Sequence, residues 1–316
     1  MKMWITIKLP YVLCIALLFL TPSCKEKNGA TYPANEAAEP TDILQKKKAL
    51  SAEFKRYWYA GKAEITSYTL QQARYGEMRS GTAVLIFVTE PFLPDTQVKA
   101  DQQHLDDIPV LKLNSTKNYL TGIYPYSIMT SSFYPVHATS HALKISFSAQ
   151  EWCGQMYVQI NNRSRFEITS HSYFETEADQ NFSLEKTTLE NEIWNKIRID
   201  PTDLPVGNLQ IIPSLEFIRL SHKELKAYDA IAQLTVDDKG MSTYRIDYPE
   251  LERTIAIQFT TTFPYTIENW SETYSSGFGA NAQLMTTTAQ KNKSIITSYW
   301  QQNKNSDLFL RDSLGL

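Results

Sequence analysis

The sequence predicts an all-β fold: a large antiparallel curved sheet, as a half-barrel or sandwich, with a few short helices. Three observations carry this expectation. Aromatics make up 12% of the 316 residues, Tyr leads them with 18 copies, and Gly numbers only 11. Tyr and Thr fit a pleated, half-buried surface better than a helix. The run Thr82-Ala83-Val84-Leu85-Ile86-Phe87-Val88 is apolar, of strand length and bounded by Gly81 and Pro91, the pattern of a strand buried on both faces. Strand-length segments then follow one another between turn residues. They do not alternate regularly with helices as a doubly wound α/β fold requires, and no repeat of solenoid period is visible.

In chain order, Lys2 and Lys8 precede the apolar run Tyr11–Leu20, which is too short to span a bilayer. A charged start, a short apolar core and small residues make a secretory signal. Its end, Leu20-Thr21-Pro22-Ser23-Cys24, resembles a bacterial lipoprotein signal, with small Ser23 before Cys24. That resemblance implies cleavage after residue 23 and acylation of Cys24, and so a membrane partner held through lipid. Pro22 and the displaced Leu20 depart from the usual pattern. Removing residues 1–23 takes Lys2 and Lys8 and no acid, so the formal charge moves from −3 to −5. A charge of that sign gives no reason to expect nucleic acid as a partner, or adhesion to an anionic surface.

Residues 24–45 are polar and carry Pro33 and Pro40, the composition of a flexible tether. Thr41 or Asp42 is the expected cap of a short helix in which Leu50, Phe54 and Trp58 share a face. From here residues 46–316 are read as the all-β domain. It begins with a hairpin, Trp58–Pro94, turning near Arg79-Ser80-Gly81. Extended segments follow at Ile108–Asn114 and Thr121–Val136. Three more span Ala142–Ser148, Gln155–Ile160 and Phe166–Phe174, the last two joined by Asn161-Asn162-Arg163. The acidic stretch Glu175–Asp200 ends in a helix over Leu189–Ile197, stopped by Pro201, Pro205 and Gly207. It is the best internal boundary, leaving open one domain or two lobes, 46–185 and 205–316. Beyond it come strands at Leu209–Leu220, Ala227–Val236, Thr243–Tyr248 and Thr254–Phe263, with Asp237–Gly240 as a turn. A final hairpin pairs Gln283–Thr288 with Ile295–Trp300.

Candidate chemistry is sparse. His137 and His141 stand four apart, but no Glu follows His137 as a zinc hydrolase would need, so no metal site is assigned. No G-x-S-x-G elbow of a serine hydrolase and no phosphate-binding loop occurs, and no cofactor is assigned. With Cys14 in the signal and Cys24 lipidated, Cys153 has no partner for a disulfide, and it reads as a buried strand residue. The aromatic cluster of Tyr124, Tyr126, Phe133, Tyr134, Trp152 and Tyr157 is the candidate ligand surface, with Tyr124, Tyr126 and Trp152 assigned to binding. Aromatic rings on strands line apolar cavities or stack on sugars.

The segments WYAGKAEITSY, ARYGEMRSGTAVLIFVTEPFLP, GIYPYSIMTSSFYPV and QEWCGQMY together resemble a family of Bacteroidota-type envelope lipoproteins, over most of the mature chain. Some members carry the label "septum formation inhibitor Maf". The residues do not support that label, because the Ser/Pro/Arg-rich motif of true Maf pyrophosphatases is missing. The resemblance implies a lipid-anchored cell-envelope protein and carries over no catalytic residue. The expected role is binding, carrying or scaffolding of an apolar or glycan ligand. The alternative is a hydrolase whose acids and His residues converge only in three dimensions.

Overall fold

The computed structural model describes residues 49–137 and 140–316. Cys24, the tether and the expected caps Thr41 and Asp42 lie outside the described residues. Those described build one sheet of sixteen strands. The first nine are β1 (Ala63–Arg74), β2 (Glu77–Leu93), β3 (Val98–Lys99), β4 (Ile108–Thr121), β5 (Tyr124–Pro135), β6 (Lys144–Glu151), β7 (Gly154–Asn162), β8 (Phe166–His171) and β9 (Gln180–Leu184). The rest are β10 (Thr188–Leu189), β11 (Gly207–Ile212), β12 (Tyr228–Val236), β13 (Met241–Tyr248), β14 (Arg253–Thr260), β15 (Ile267–Ser276) and β16 (Gln283–Thr297). The sheet is antiparallel except where β10 meets β11. The expected all-β class is therefore the observed one.

Two meanders lie side by side, joined where the late strand β16 pairs with β1. The free edges of the main path are β9 and β10, only residues 185–187 apart in the chain. The sheet curls until its edges are neighbours in sequence, but it does not close.

Two covers explain the burial of Thr82–Val88. Ala83, Leu85 and Phe87 point into the main core, whereas Val84 and Val88 join Ala63, Ile65 and Leu314 in a second cluster on the other face. Leu314 ends the C-terminal helix, which spans Phe309–Leu314. At the other end of the described chain, α1 (Ala52–Trp58) is capped by Ser51, whose Oγ accepts from Phe54 N at 3.0 Å. Its Phe54 and Trp58 are buried, as their spacing predicts.

The helix α2 (Glu190–Ile199) organises the interior. Its side chains touch strands from both meanders, which a helix can do only from the concave face. Arg198 pairs with Glu64 on β1, Asn195 Nδ2 donates to the Leu111 carbonyl on β4, and Lys196 Nζ donates to Tyr134 Oη on β5. From its first turn Glu190 reaches Arg253 on β14 and Tyr248 on β13, and Trp194 packs edge-on against Trp270 of β15. The interior of the curl is thus filled by a helix whose charged residues are buried and hydrogen-bonded.

Several expected boundaries move. The first hairpin turns at Tyr75-Gly76, not at Arg79-Ser80-Gly81; Tyr75 and Gly76 both have positive φ, the pair of angles a tight hairpin turn needs. Gly81 sits within β2, where a Cβ would lie 2.7 Å from Tyr119 Cβ on β4. Its glycine serves a close strand crossing. The predicted strand Leu209–Leu220 divides into β11 and the helix α3 (Leu215–Leu220), started by Ser214, whose Oγ accepts from Phe217 N. The predicted final hairpin is one continuous strand, β16. Its register against β1 slips between Ser67 and Tyr68, so polar residues near Asn292 form a bulge and not a turn.

Candidate binding site

The antiparallel register gathers one set of turns at one end of the curl. These are residues 75–76, 122–123, 152–153, 172–179 and 277–282, with α3 and the segment after it. Their aromatic side chains form a circuit of ring contacts. Trp152 faces Tyr124, Tyr124 faces Tyr126, Tyr126 faces Tyr75, and Tyr75 faces Phe278, with centroids 6.0–6.5 Å apart. From Phe278 the contacts run to His222, Phe174 and Tyr173 at 6.2, 5.4 and 4.7 Å. Tyr173 closes the circuit on the turn that carries Trp152: a Cβ on Gly154 would lie 2.7 Å from its ring.

Of the predicted ligand residues, Tyr124, Tyr126 and Trp152 come together in this circuit. They differ in access. Trp152 is 68% exposed at a turn tip, Tyr124 is half-buried, and Tyr126 is 3% exposed. Tyr126 Oη lies 2.7 Å from Tyr75 Oη and accepts from Arg74 Nη2 at 3.1 Å. The other three aromatics are elsewhere. On β5 the even residues face the core, so Tyr134 is buried like Tyr126 but eight residues further along, roughly 26 Å at the rise of a strand. Phe133 faces the opposite side and packs on Phe92, and Tyr157 points outward from β7.

Cys153 corrects an expectation. It is exposed, because Trp152-Cys153 is the two-residue turn between β6 and β7 and not part of a strand. Its thiol is not activated: a hydrogen bond to Glu151 pushes its pKa up.

A cavity of about 770 Å³ opens beside the circuit. Met156 and Val158 of β7, Ile218 of α3 and Phe182 of β9 give it an apolar side; Glu177, Arg219, His222 and Asp179 give it a polar one. Glu177 is the hub of the polar side. It accepts from Ser172 Oγ at 2.6 Å and from His222 Nδ1 at 2.7 Å, and pairs with Arg219 Nη1 at 3.3 Å. Arg219 also lies over the Phe174 ring at 4.3 Å and touches the Met156 sulfur. Burial lowers its guanidinium pKa, and Glu177 offsets part of that effect. His171 and Asp179 form a second pair, at 3.3 Å. Ala178 and His222 both hold positive φ here, and Tyr75 does so in the circuit. Such angles cost a side chain of order 1–3 kcal/mol, so surrounding contacts must hold these residues in place.

Chemically, the Glu177–His222 pair resembles half of a general-base dyad. The hydroxyl is on the wrong side of it: Ser172 donates to Glu177, whereas a nucleophile would donate to the other ring nitrogen of the His, which lies 3.5 Å from Arg219 Nη1. The arrangement is built to hold and orient more than to activate. His141 is engaged elsewhere, its Nδ1 lying 3.0 Å from Glu192 of α2. The sequence reading missed Glu177, Arg219 and His222 as a site. They stand 42 and 45 positions apart across the predicted internal boundary, in segments with no motif.

Fold and site thus define an open, curled β-sheet with a buried helix and a half-open aromatic end. No family model and no curated protein matches the chain. Among solved structures it is similar to a beta-barrel-like protein of domain of unknown function DUF1849 from Brucella abortus. That pair is 9% identical, covers 74% of this chain and 98% of the other, and has a TM-score of 0.42. It is also similar to a porin-like protein from Bacteroides uniformis, at 10% identity over 73% of this chain and 95% of the other, with a TM-score of 0.20.

Proposed function

We propose that this chain is a lipid-anchored cell-envelope protein that binds an apolar or glycan ligand at the aromatic end of its sheet without transforming it. The observation that supports binding is the 770 Å³ cavity, within the range of sites for small ligands, with an apolar wall facing fixed polar groups. Native mass spectrometry of protein purified gently from membranes should show a co-purifying small molecule. Trp152→Ala should weaken its retention while changing stability by no more than about 0.5 kcal/mol, because the ring is exposed at a turn. A ligand-free protein that gives no Trp fluorescence response to envelope lipids or glycans would leave a scaffold role.

The hydrolase reading draws its support from the Glu177–His222 pair facing the cavity. It expects turnover of ester or glycoside substrates, abolished by His222→Gln.

The anchor rests on Cys24 directly after the signal core. Several acyl chains hold a protein firmly where one does not, each buried CH₂ contributing about 0.8 kcal/mol. Cys24→Ala should abolish palmitate incorporation and prevent normal lipoprotein maturation. Unchanged labelling of that variant would refute lipidation at this residue.

A further inference from the structure

Among the described residues four arginines lie buried around the helices and turns of this sheet, and three have carboxylate partners. Arg198 pairs with Glu64, Arg253 with Glu190 and Glu272, and Arg219 with Glu177. Arg74 is the exception. It is 7% exposed, and among the described residues no carboxylate pairs with it. Its Nη1 donates to the Leu220 carbonyl at 2.7 Å, and its Nη2 donates to the hydroxyls of Tyr126 and Tyr75 at 3.1 and 3.2 Å. Its Nε is buried with no acceptor. The guanidinium lies 4.1 Å from the Tyr75 ring centroid. Neutral oxygens and ring faces solvate this charge without neutralising it. Burial disfavours this charge and the neighbouring tyrosines offset that cost, but no carboxylate neutralises it.

Arg74 also lines a second cavity, of about 470 Å³, on the other side of α3 from the first. Lys223, at the edge of both cavities, adds a second cation. Ser221, Ser275 and Ser276 present hydroxyl-bearing residues to the cavity, and Phe278 of the aromatic circuit forms part of its wall. The acids present, Glu250 and Glu252, are exposed residues of the β13–β14 turn, and Glu250 lies 3.8 Å from Lys226.

We infer that this second cavity binds the carboxylate or phosphate of an acidic saccharide, with the oxyanion on Arg74 and the sugar ring against Phe278. The Arg74 charge without a carboxylate attracts an oxyanion, serine hydroxyls match sugar hydroxyls, and an aromatic face takes the apolar face of a sugar. A lipid tail fits this cavity poorly, because Ser and charged residues dominate its wall. The inference deepens the binding reading and rests on it.

The test uses the full chain in detergent on a glycan array where each acidic saccharide sits beside its neutral parent. Titration calorimetry on the best pair follows, with inorganic phosphate and anionic phospholipid vesicles as further probes. The acidic member should bind about tenfold more tightly than its neutral parent, a preference that falls with added salt. Arg74→Met should reduce that preference to parity, while Arg74→Lys should keep part of it. Thermal denaturation of each variant checks that it is folded, and the wild-type comparison stands even if Arg74→Met is not. Equal binding of acidic and neutral sugars overturns this inference and leaves the binding reading intact. Phosphate or vesicles binding as tightly as the acidic sugar overturns the saccharide assignment. Failure of every probe, with no co-purifying molecule, removes both.

Discussion

Glu190→Gln is expected to lower the unfolding free energy by about 3–5 kcal/mol. Glu190 and Arg253 are at most 1% exposed and meet through two parallel bonds of 2.5 and 2.7 Å. Tyr248 Oη donates to the same carboxylate at 2.7 Å, and Arg253 Nε donates to Glu272 at 2.7 Å. Burial alone would raise the Glu190 pKa; the Arg253 charge and the bonds from Arg253, Tyr248 and the Ser214 backbone outweigh it and hold the carboxyl below its usual range. A Gln amide keeps one acceptor but turns an NH₂ toward a guanidinium nitrogen, so donor faces donor and the buried cation loses half its compensation. Arg253→Met should be as damaging, because it strands Glu190 and Glu272 together. Urea denaturation would show the midpoint falling at unchanged slope. A loss below about 1 kcal/mol would mean that the network does not fix α2 inside the curl.

That network also shows where the sequence stops being legible. The helix over residues 189–197 is readable from its pattern and its Pro stop, yet Glu-Asn-Glu-Ile-Trp-Asn-Lys-Ile looks like a solvated surface helix. In the fold, Glu190, Glu192, Asn195, Lys196 and Arg198 are all buried. Their partners on β1, β4, β5, β13 and β14 lie more than 50 positions away, and nothing local in a sequence marks such pairs. The strands were the legible part. Thr82–Val88 announces double burial through its composition, and the two faces find two separate covers.

Turns were less legible than strands, for reasons visible residue by residue. Gly81 has the look of a turn glycine, whereas it is needed for the approach of β4, and Tyr75 takes the positive φ that sequence reasoning reserves for Gly or Asn. The error at Cys153 has the same root, since Trp152-Cys153 carries none of the usual turn residues. Tyr124, Tyr126 and Trp152 do meet, because the β4–β5 and β6–β7 turns lie at one end of the sheet. That Tyr126 is sealed beneath the surface follows from the position of Arg74 three strands away in the sheet, which the sequence order conceals.

Glu64→Gln should destabilise the protein by a further large amount, about 3–5 kcal/mol at neutral pH, with a pH dependence that identifies the cause. Glu64 accepts from Arg198 Nη1 and Nη2 at 2.6 Å each, from Tyr57 Oη at 2.5 Å and from Thr66 Oγ1 at 3.4 Å. Arg198 is pinned in turn by the Pro264 carbonyl at 2.9 Å and lies over the Phe87 ring at 4.8 Å. Burial again pushes the Glu64 pKa up, but the Arg198 charge and these hydrogen bonds prevail and hold it down. Because the folded value lies below the unfolded one, the stabilisation from Glu64 is complete above the unfolded pKa of about 4.3 and is lost as pH falls through the folded value. The wild type should therefore lose stability on acidification faster than Glu64→Gln, which has no proton to take up at this site. Other buried carboxylates, Glu190 among them, titrate in both proteins and cancel in the comparison. Urea midpoints of the two proteins at pH 7 and near pH 3.5 give the difference directly, and the gap should narrow at the lower pH. A gap that is the same at both values would show that the ion pair with Arg198 does not carry the effect, and that Glu64 acts through packing and neutral hydrogen bonds alone.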